Sequence, residues 1–189
     1  MDALLVSTLA VAIAEIGDKT QLLALVLAAR YRRALPVIAG ILVATVLNHA
    51  AAAWVGAWVA GWLDPAWLRW IVVACFLGVA VWALIPDKLD EDGTPAPPRF
   101  GPFLATTIAF FLVEIGDKTQ IATVVLSARY EPLWQVVAGT TLGMLLANVP
   151  VVLLGARFAT RLPLKAARWA AAALFAALAL WVAIRGLST

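Results

Sequence analysis

Glu15-Ile16-Gly17-Asp18-Lys19-Thr20-Gln21 recurs, residue for residue, as Glu114-Ile115-Gly116-Asp117-Lys118-Thr119-Gln120. Each copy sits inside a long apolar segment, preceded by residues 9–13 or 108–113 and followed by 22–29 or 121–126. A charged side chain at mid-membrane depth costs roughly 3 kcal/mol on insertion scales. Two carboxylates and an ammonium in about one turn, and then the same again, are sustainable there only if they face a wet cavity or one another. The two strings therefore read as halves of one polar site among membrane helices.

Hydrophobic residues fill 64% of the 189 positions and charged residues 13%, where a soluble domain is nearer half and a quarter. Nine tryptophans suit a chain with many membrane–water boundaries. The chain reads as an integral membrane protein. Its net charge of +3 comes from basic residues lying mostly between apolar segments. That is the pattern of membrane orientation, so no nucleic-acid partner is expected. Cys75 is the single cysteine, which excludes an intrachain disulfide. Met1-Asp2 offers no basic region ahead of the first apolar run, so no cleavable signal is expected.

A spanning helix needs about 20 mainly apolar residues, and six segments qualify: 3–28, 35–61, 66–85, 102–127, 132–156 and 164–185. Pro36, Pro65, Pro102, Pro132 and Pro163 lie in or beside predicted first turns, where a missing N–H costs nothing. Pro150 falls inside the fifth segment and should kink it. Residues 86–101 are acidic and proline-rich without apolar periodicity, and read as a solvated cytoplasmic linker. Its Asp90-Glu91-Asp92 triplet reads first as part of that connector and only second as a surface chelator.

A shift of 99 residues superposes the two heptads, and with them Ser7-Thr8 on Thr106-Thr107, Ala29-Arg30-Tyr31 on Ala128-Arg129-Tyr130 and Ala39-Gly40 on Ala138-Gly139. The expected fold is therefore all-α, with six transmembrane helices in two repeats of three, residues 1–85 and 102–189. An odd number of spans per repeat sends the second in from the opposite face, which makes an inverted-topology repeat. Arg30, Arg32, Arg33, Lys88, Arg99, Arg157, Arg161, Lys165 and Arg168 follow the odd segments, against Arg69, Arg129 and Arg185 on the other side. This bias places the odd loops in the cytoplasm and both termini outside it, in the cell's inner (plasma) membrane.

On a regular helix Glu15, Asp18 and Lys19 share one face, Thr8 lies two turns before Glu15, and Gln21 flanks Asp18. Gly17 and Gly116 weaken the helix, and if the chain unwinds there this wheel holds only locally. Inversion about the midplane brings together Glu15, Asp18, Glu114 and Asp117 as metal ligands. Lys19 and Lys118 would lie at the edge, with Thr20, Thr119, Gln21 and Gln120 in support. Four carboxylates and two ammoniums leave two negative charges, which one divalent cation neutralises. Oxygen donors without thiolates suit hard ions, and the reluctance of Mg²⁺ to shed water favours Mn²⁺ or Ca²⁺. Without the ion, four acids cannot all stay charged in a low-dielectric pocket and should take up protons. Exchange of metal for protons then follows from electrostatics. Helix-clamping salt bridges would account for one copy of the motif, but two identical copies favour the ion site.

Asn48 and Asn148 lie mid-segment in the second and fifth spans, with Thr45 and Thr141 nearby. They could supply neutral oxygens, hydrogen-bond the carboxylates, or simply join helices. His49, the single histidine, could carry a proton or ligate Mn²⁺; without a histidine at the aligned place, a satisfied packing role is preferred. Met144 reads as filler, and 50–53 and 170–173 as small-residue packing faces.

The doubled Glu-x-Gly-Asp-(Lys/Arg)-(Thr/Ser) signature at 15–20 and 114–119, in a six-span chain with an acidic central linker, resembles the Gdt family of small membrane Mn²⁺/Ca²⁺ transporters, grouped with the cation/Ca²⁺ exchangers. The resemblance covers essentially the whole chain. It implies secondary transport of Mn²⁺, in some members Ca²⁺, out of the cytosol against protons, and bacterial members of this size are associated with Mn²⁺ export. It maps Glu15, Asp18, Glu114 and Asp117 onto the ion-binding acids, and Thr20 and Thr119 onto the motif hydroxyls. No Gly-rich phosphate loop is present, so an ion gradient should supply the energy. The metal is cargo, and no cofactor is expected. The expected partners are a divalent metal ion, protons and the lipid bilayer, with oligomeric state left open. Two other readings stand beside this one. An exporter of a cationic solute such as a basic amino acid would use the acids to hold an ammonium group. A metal-dependent intramembrane hydrolase would want arginines beside the acids to grip phosphate, whereas these arginines sit at segment ends.

Overall fold

The computed structural model describes residues 3–86, 101–155 and 162–187. In chain order the helices are α1 (Ala3–Ala14), α2 (Lys19–Tyr31), α3 (Ala34–Ala60), α4 (Pro65–Ala83), α5 (Pro102–Glu114), α6 (Lys118–Arg129), α7 (Leu133–Leu154) and α8 (Leu164–Arg185). Proline and capping signals set several starts. Pro65 opens α4 behind Asp64, whose carboxylate accepts the Ala66 N–H at 2.8 Å. Pro102 opens α5 behind Gly101. Pro150 is carried inside α7 without interrupting it. The Asp90-Glu91-Asp92 triplet, most of the linker, and Lys88, Arg99, Arg157 and Arg161 lie outside the described residues.

Among the described residues four helices, α3, α4, α7 and α8, are long and apolar enough to cross a membrane. The continuous spans expected at 3–28 and 102–127 are instead each broken in two. The cause is local. Gly17 sits at φ +82° and Gly116 at φ +75°, a left-handed conformation that stops an α-helix and that a Cβ would resist. The aspartate one position on then caps a fresh helix. Alone, α1 with 12 residues and α5 with 13 extend only about 18–20 Å, short of a ~30 Å hydrocarbon layer.

Each short helix leans on the long central helix of the other half: α1 packs along α7, and α5 along α3. Gly139 and Gly40, equivalent under the 99-residue shift, make close approaches in these two pairs. A Cβ on Gly139 would lie 2.6 Å from the Leu4 carbonyl oxygen, and one on Gly40 2.7 Å from that of Phe103. Only a bare backbone fits there. The alanine runs contribute less than expected, since Ala52, Ala53, Ala171 and Ala172 are buried but Ala50, Ala51, Ala170 and Ala173 face outward.

On the flank α4 pairs with α8, where Phe76 and Phe175 stack, fully buried, with ring centroids 6.2 Å apart. Lipid is as apolar as these rings, so dense packing, not escape from water, holds them together. Trp54 and Trp58 on α3 and Trp62 just beyond its end lie ring against ring and, with Trp67 and Trp70, face outward around the α3–α4 turn. Indoles prefer such a place at a membrane surface.

Candidate functional site

The two breaks are built alike. Glu15 follows the last residue of α1 and still donates its N–H to Val11 at 2.9 Å, while Glu114 is the last residue of α5. Asp18 and Asp117 are N-caps, each accepting the N–H and the hydroxyl of the threonine two positions on at 3.4 and 3.3 Å. Gln21 and Gln120 reach back with Oε1 to the N–H of Gly17 and Gly116, at 2.8 and 2.7 Å. This is a capping box displaced by one residue. The heptad is thus a helix stop, a left-handed turn and a helix start. It is not a polar face on a regular helix, so the wheel that put Glu15, Asp18, Lys19 and Thr8 together does not apply. Thr8 instead gives its hydroxyl to the Leu4 carbonyl at 2.7 Å.

The capping logic was available in the sequence, in Asp-x-x-Gln directly after a glycine. The cross-pairing of the charges was not. Lys19 Nζ lies 3.0 Å from Asp117 Oδ1, and Lys118 Nζ lies 2.5 Å from Asp18 Oδ1. Each lysine therefore crosses to the aspartate of the other copy. Lys118 is buried within the site and not at its edge; Lys19 keeps a quarter of its side chain exposed.

With the aspartates engaged by ammonium groups, two charges remain. Glu15 and Glu114 are both fully buried, and each has an Oε1 with no hydrogen-bond partner among the described residues. Glu15 Oε2 accepts the Thr20 hydroxyl at 2.5 Å, and Glu114 Oε2 accepts that of Thr119 at 3.4 Å. One carboxylate oxygen from each of Glu15, Glu114 and Asp117 lies within 4.8 Å of the others. Asp18 stands outside that trio, held by Lys118 and Thr20. A pair of buried carboxylates without counter-charge is costly. One dication, or two protons, would offset it.

The neighbouring amides are spent on helices. Asn48 Nδ2 donates to the Phe111 carbonyl of α5 at 3.1 Å, and Gln21 Nε2 to the Ala147 carbonyl of α7 at 2.8 Å. Asn148 donates to the carbonyl and to the sulfur of Met144, both at 3.1 Å, and leaves its Oδ1 without a partner among the described residues. His49 departs from the satisfied packing role expected of it. It is fully buried, neither ring nitrogen has a hydrogen-bond partner among the described residues, and Nε2 lies 4.0 Å from Glu114 Oε2.

Arg69 donates to the Ala183 carbonyl on α8, and Arg129 stacks over Tyr130 at the end of α6. The phosphate grip that a hydrolase would want is missing among the described residues.

Comparison with known proteins agrees with this chemistry. The family model for the divalent cation/proton antiporter GDT1 matches residues 3–91 and 102–189, each stretch holding one copy of the heptad. A protein of Vibrio cholerae serotype O1 named "Putative manganese exporter" is 56% identical over 181 residues, covering 95% of this chain and 90% of that protein. No solved structure matches. Family and relative alike are transporters and not enzymes, and the chain belongs to the GDT1 family of divalent cation/proton antiporters.

Proposed function

We propose that this chain exports Mn²⁺ from the cytoplasm in exchange for protons, through one site shared by its two halves. The observation that carries the reading is the pair of fully buried glutamates, Glu15 and Glu114, drawn with Asp117 into a single cluster from two separate helix breaks. Their oxygens are hard donors of the kind Mn²⁺ and Ca²⁺ take. Mn²⁺ is preferred because the Vibrio cholerae relative carries manganese in its name.

In this proposal α1 and α2 together make one crossing, as do α5 and α6, giving six crossings in two inverted repeats, 1–85 and 102–189, joined by the linker 86–101. Support comes from the 99-residue register and from the reciprocal packing of α1 on α7 and α5 on α3. Both termini lie outside the cytoplasm, by the bias of basic residues. Broken helices at mid-membrane are where transporters place ion sites, because the freed backbone lines a cavity.

The exchange is electrostatic. Mn²⁺ neutralises Glu15 and Glu114; when it leaves toward one face, the two carboxylates cannot remain charged together and bind protons before the site reopens. The Lys19–Asp117 and Lys118–Asp18 pairs tie the breaks to each other throughout, so that both halves sense the same ion. Asp117, within the cluster, is the aspartate placed to contribute an oxygen, and Asp18 acts through its bond to Lys118. A basic amino acid of net charge +1 would leave one of the two glutamate charges uncompensated, which weighs against that cargo.

The test is Mn²⁺ flux into proteoliposomes under an imposed pH gradient. Wild type should transport, while Glu15→Gln and Glu114→Gln should insert normally and carry no gradient-driven flux. Flux retained in either variant would overturn the shared site.

A further inference from the structure

His49 has no part in the exchange just described, yet its position is unusual. It lies on α3, fully buried, with both ring nitrogens lacking a hydrogen-bond partner among the described residues. Leaving a buried polar group unpaired costs about 1–3 kcal/mol, and a packing role alone would be served by an apolar side chain. Its Nε2 lies 4.0 Å from Glu114 Oε2, and Glu114 belongs to the cluster with Glu15 and Asp117. That gap is too long for a hydrogen bond. It does match the spacing of two donor atoms bound to one ion at roughly 2.0–2.3 Å each, which lie about 3–4.5 Å apart.

The residue 99 positions on, where the repeat would place its counterpart, is Asn148, whose Nδ2 donates to Met144 and whose Oδ1 has no partner among the described residues. His49 lies outside the 4.8 Å trio of Glu15, Glu114 and Asp117 and borders it at Glu114, so a ring nitrogen stands beside one half of the cluster and not the other. Carboxylates hold Ca²⁺, Mg²⁺ and Mn²⁺ alike, whereas imidazole adds affinity for first-row transition ions and little for the alkaline-earth ions.

We propose that His49 is a direct nitrogen ligand to the transported ion and biases the site toward first-row transition cations over Ca²⁺ and Mg²⁺. The inference rests on the carboxylate site proposed above. It also extends the cargo class, because Fe²⁺ and Co²⁺ gain more from a nitrogen ligand than Mn²⁺ does and should compete for the site.

The chain contains a single histidine, which makes the test clean. Protein purified with a histidine-free tag into lipid nanodiscs is loaded with Mn²⁺ and measured by electron spin echo envelope modulation. A ¹⁴N coupling to Mn²⁺ should appear, and growth on ¹⁵N-histidine should replace it with the ¹⁵N pattern. His49→Asn, which installs the residue of the other half, should abolish the coupling. It should weaken Mn²⁺ binding by about tenfold or more while changing Ca²⁺ binding by less than about twofold. The labelled wild type decides the matter even if the variant folds poorly. Mn²⁺ bound with no histidine nitrogen coupling, or equal loss of Mn²⁺ and Ca²⁺ in the variant, would overturn the role of His49 and leave the carboxylate site standing. Wild-type protein that binds no Mn²⁺ would overturn both.

Discussion

The heptad around Gly17 and the heptad around Gly116 share every residue, and their surroundings differ on almost every count. Lys118 meets Asp18 with 4% of its side chain exposed, and Lys19 meets Asp117 with 25% exposed. Glu15 is bound tightly by its threonine at 2.5 Å; Glu114 is held loosely at 3.4 Å and has His49 beside it. Gln21 bridges to α7, whereas Gln120 closes only its own turn among the described residues. The source of the difference lies outside the heptads. The second copy leads into α6, which packs along α3 and against α4, while α2 lies more lightly against α7, α5 and α3. Two equal strings have thus been placed in unequal walls: the second copy buries its lysine more deeply, and the first covers its glycine turn more closely.

The largest effects should come from the two glutamates and should show no inequality at all. Glu15→Gln and Glu114→Gln each remove one of the two uncompensated charges, so each should lower Mn²⁺ affinity by at least about 100-fold, no less than the upper end for loss of a group that only hydrogen-bonds a metal ligand. Equilibrium binding of Mn²⁺ in nanodiscs checks this, and a large loss in only one variant would break the symmetry of the site.

The lysines should show the inequality most clearly. Lys118→Met leaves Asp18 as a buried charge without its ammonium, at a cost of about 3–5 kcal/mol. Lys19→Met faces a partly solvated pair and should cost roughly 1 kcal/mol. Unfolding in mild detergent ranks the two, and equal losses would mean that the walls are not unequal in solution.

Gly17→Ala and Gly116→Ala both force a Cβ into a positive-φ turn, at about 1–2 kcal/mol. At Gly17 the new Cβ would also meet Leu164 Cδ2 at 2.8 Å, while at Gly116 it meets open space. The first substitution should therefore be the more damaging, by about 1 kcal/mol. The smallest contrast belongs to the glutamines. Gln21→Leu gives up a bond to α7 that Gln120→Leu does not, and should be the more destabilising by about 1 kcal/mol.

Much of this was legible in the chain itself. The repeated heptad in apolar flanks announced a buried polar site, and the 99-residue register paired Gly40 with Gly139, two points where helix backbones meet closely. The helix breaks were half legible, because glycine in an apolar run is compatible with a continuous span. The decisive signal, an aspartate cap with a glutamine three positions on, was hidden among residues that also read as ion ligands. Lysine cross-pairing could not be read from spacing, since it depends on how two distant turns approach through space. The unpaired state of His49 is hard to read from sequence for a related reason. Symmetry is a guide only while both halves do the same work, and an unpaired ring nitrogen is a three-dimensional fact.

The central claim is that the two halves enclose one ion between them. Counting bound Mn²⁺ per chain at saturation, in wild type and in the Glu15→Gln and Glu114→Gln variants, addresses it most directly. One ion in the wild type and none in either variant under the same conditions is the expected result. Two ions in the wild type, with one surviving each substitution, would mean that each heptad binds alone, and the account would fail.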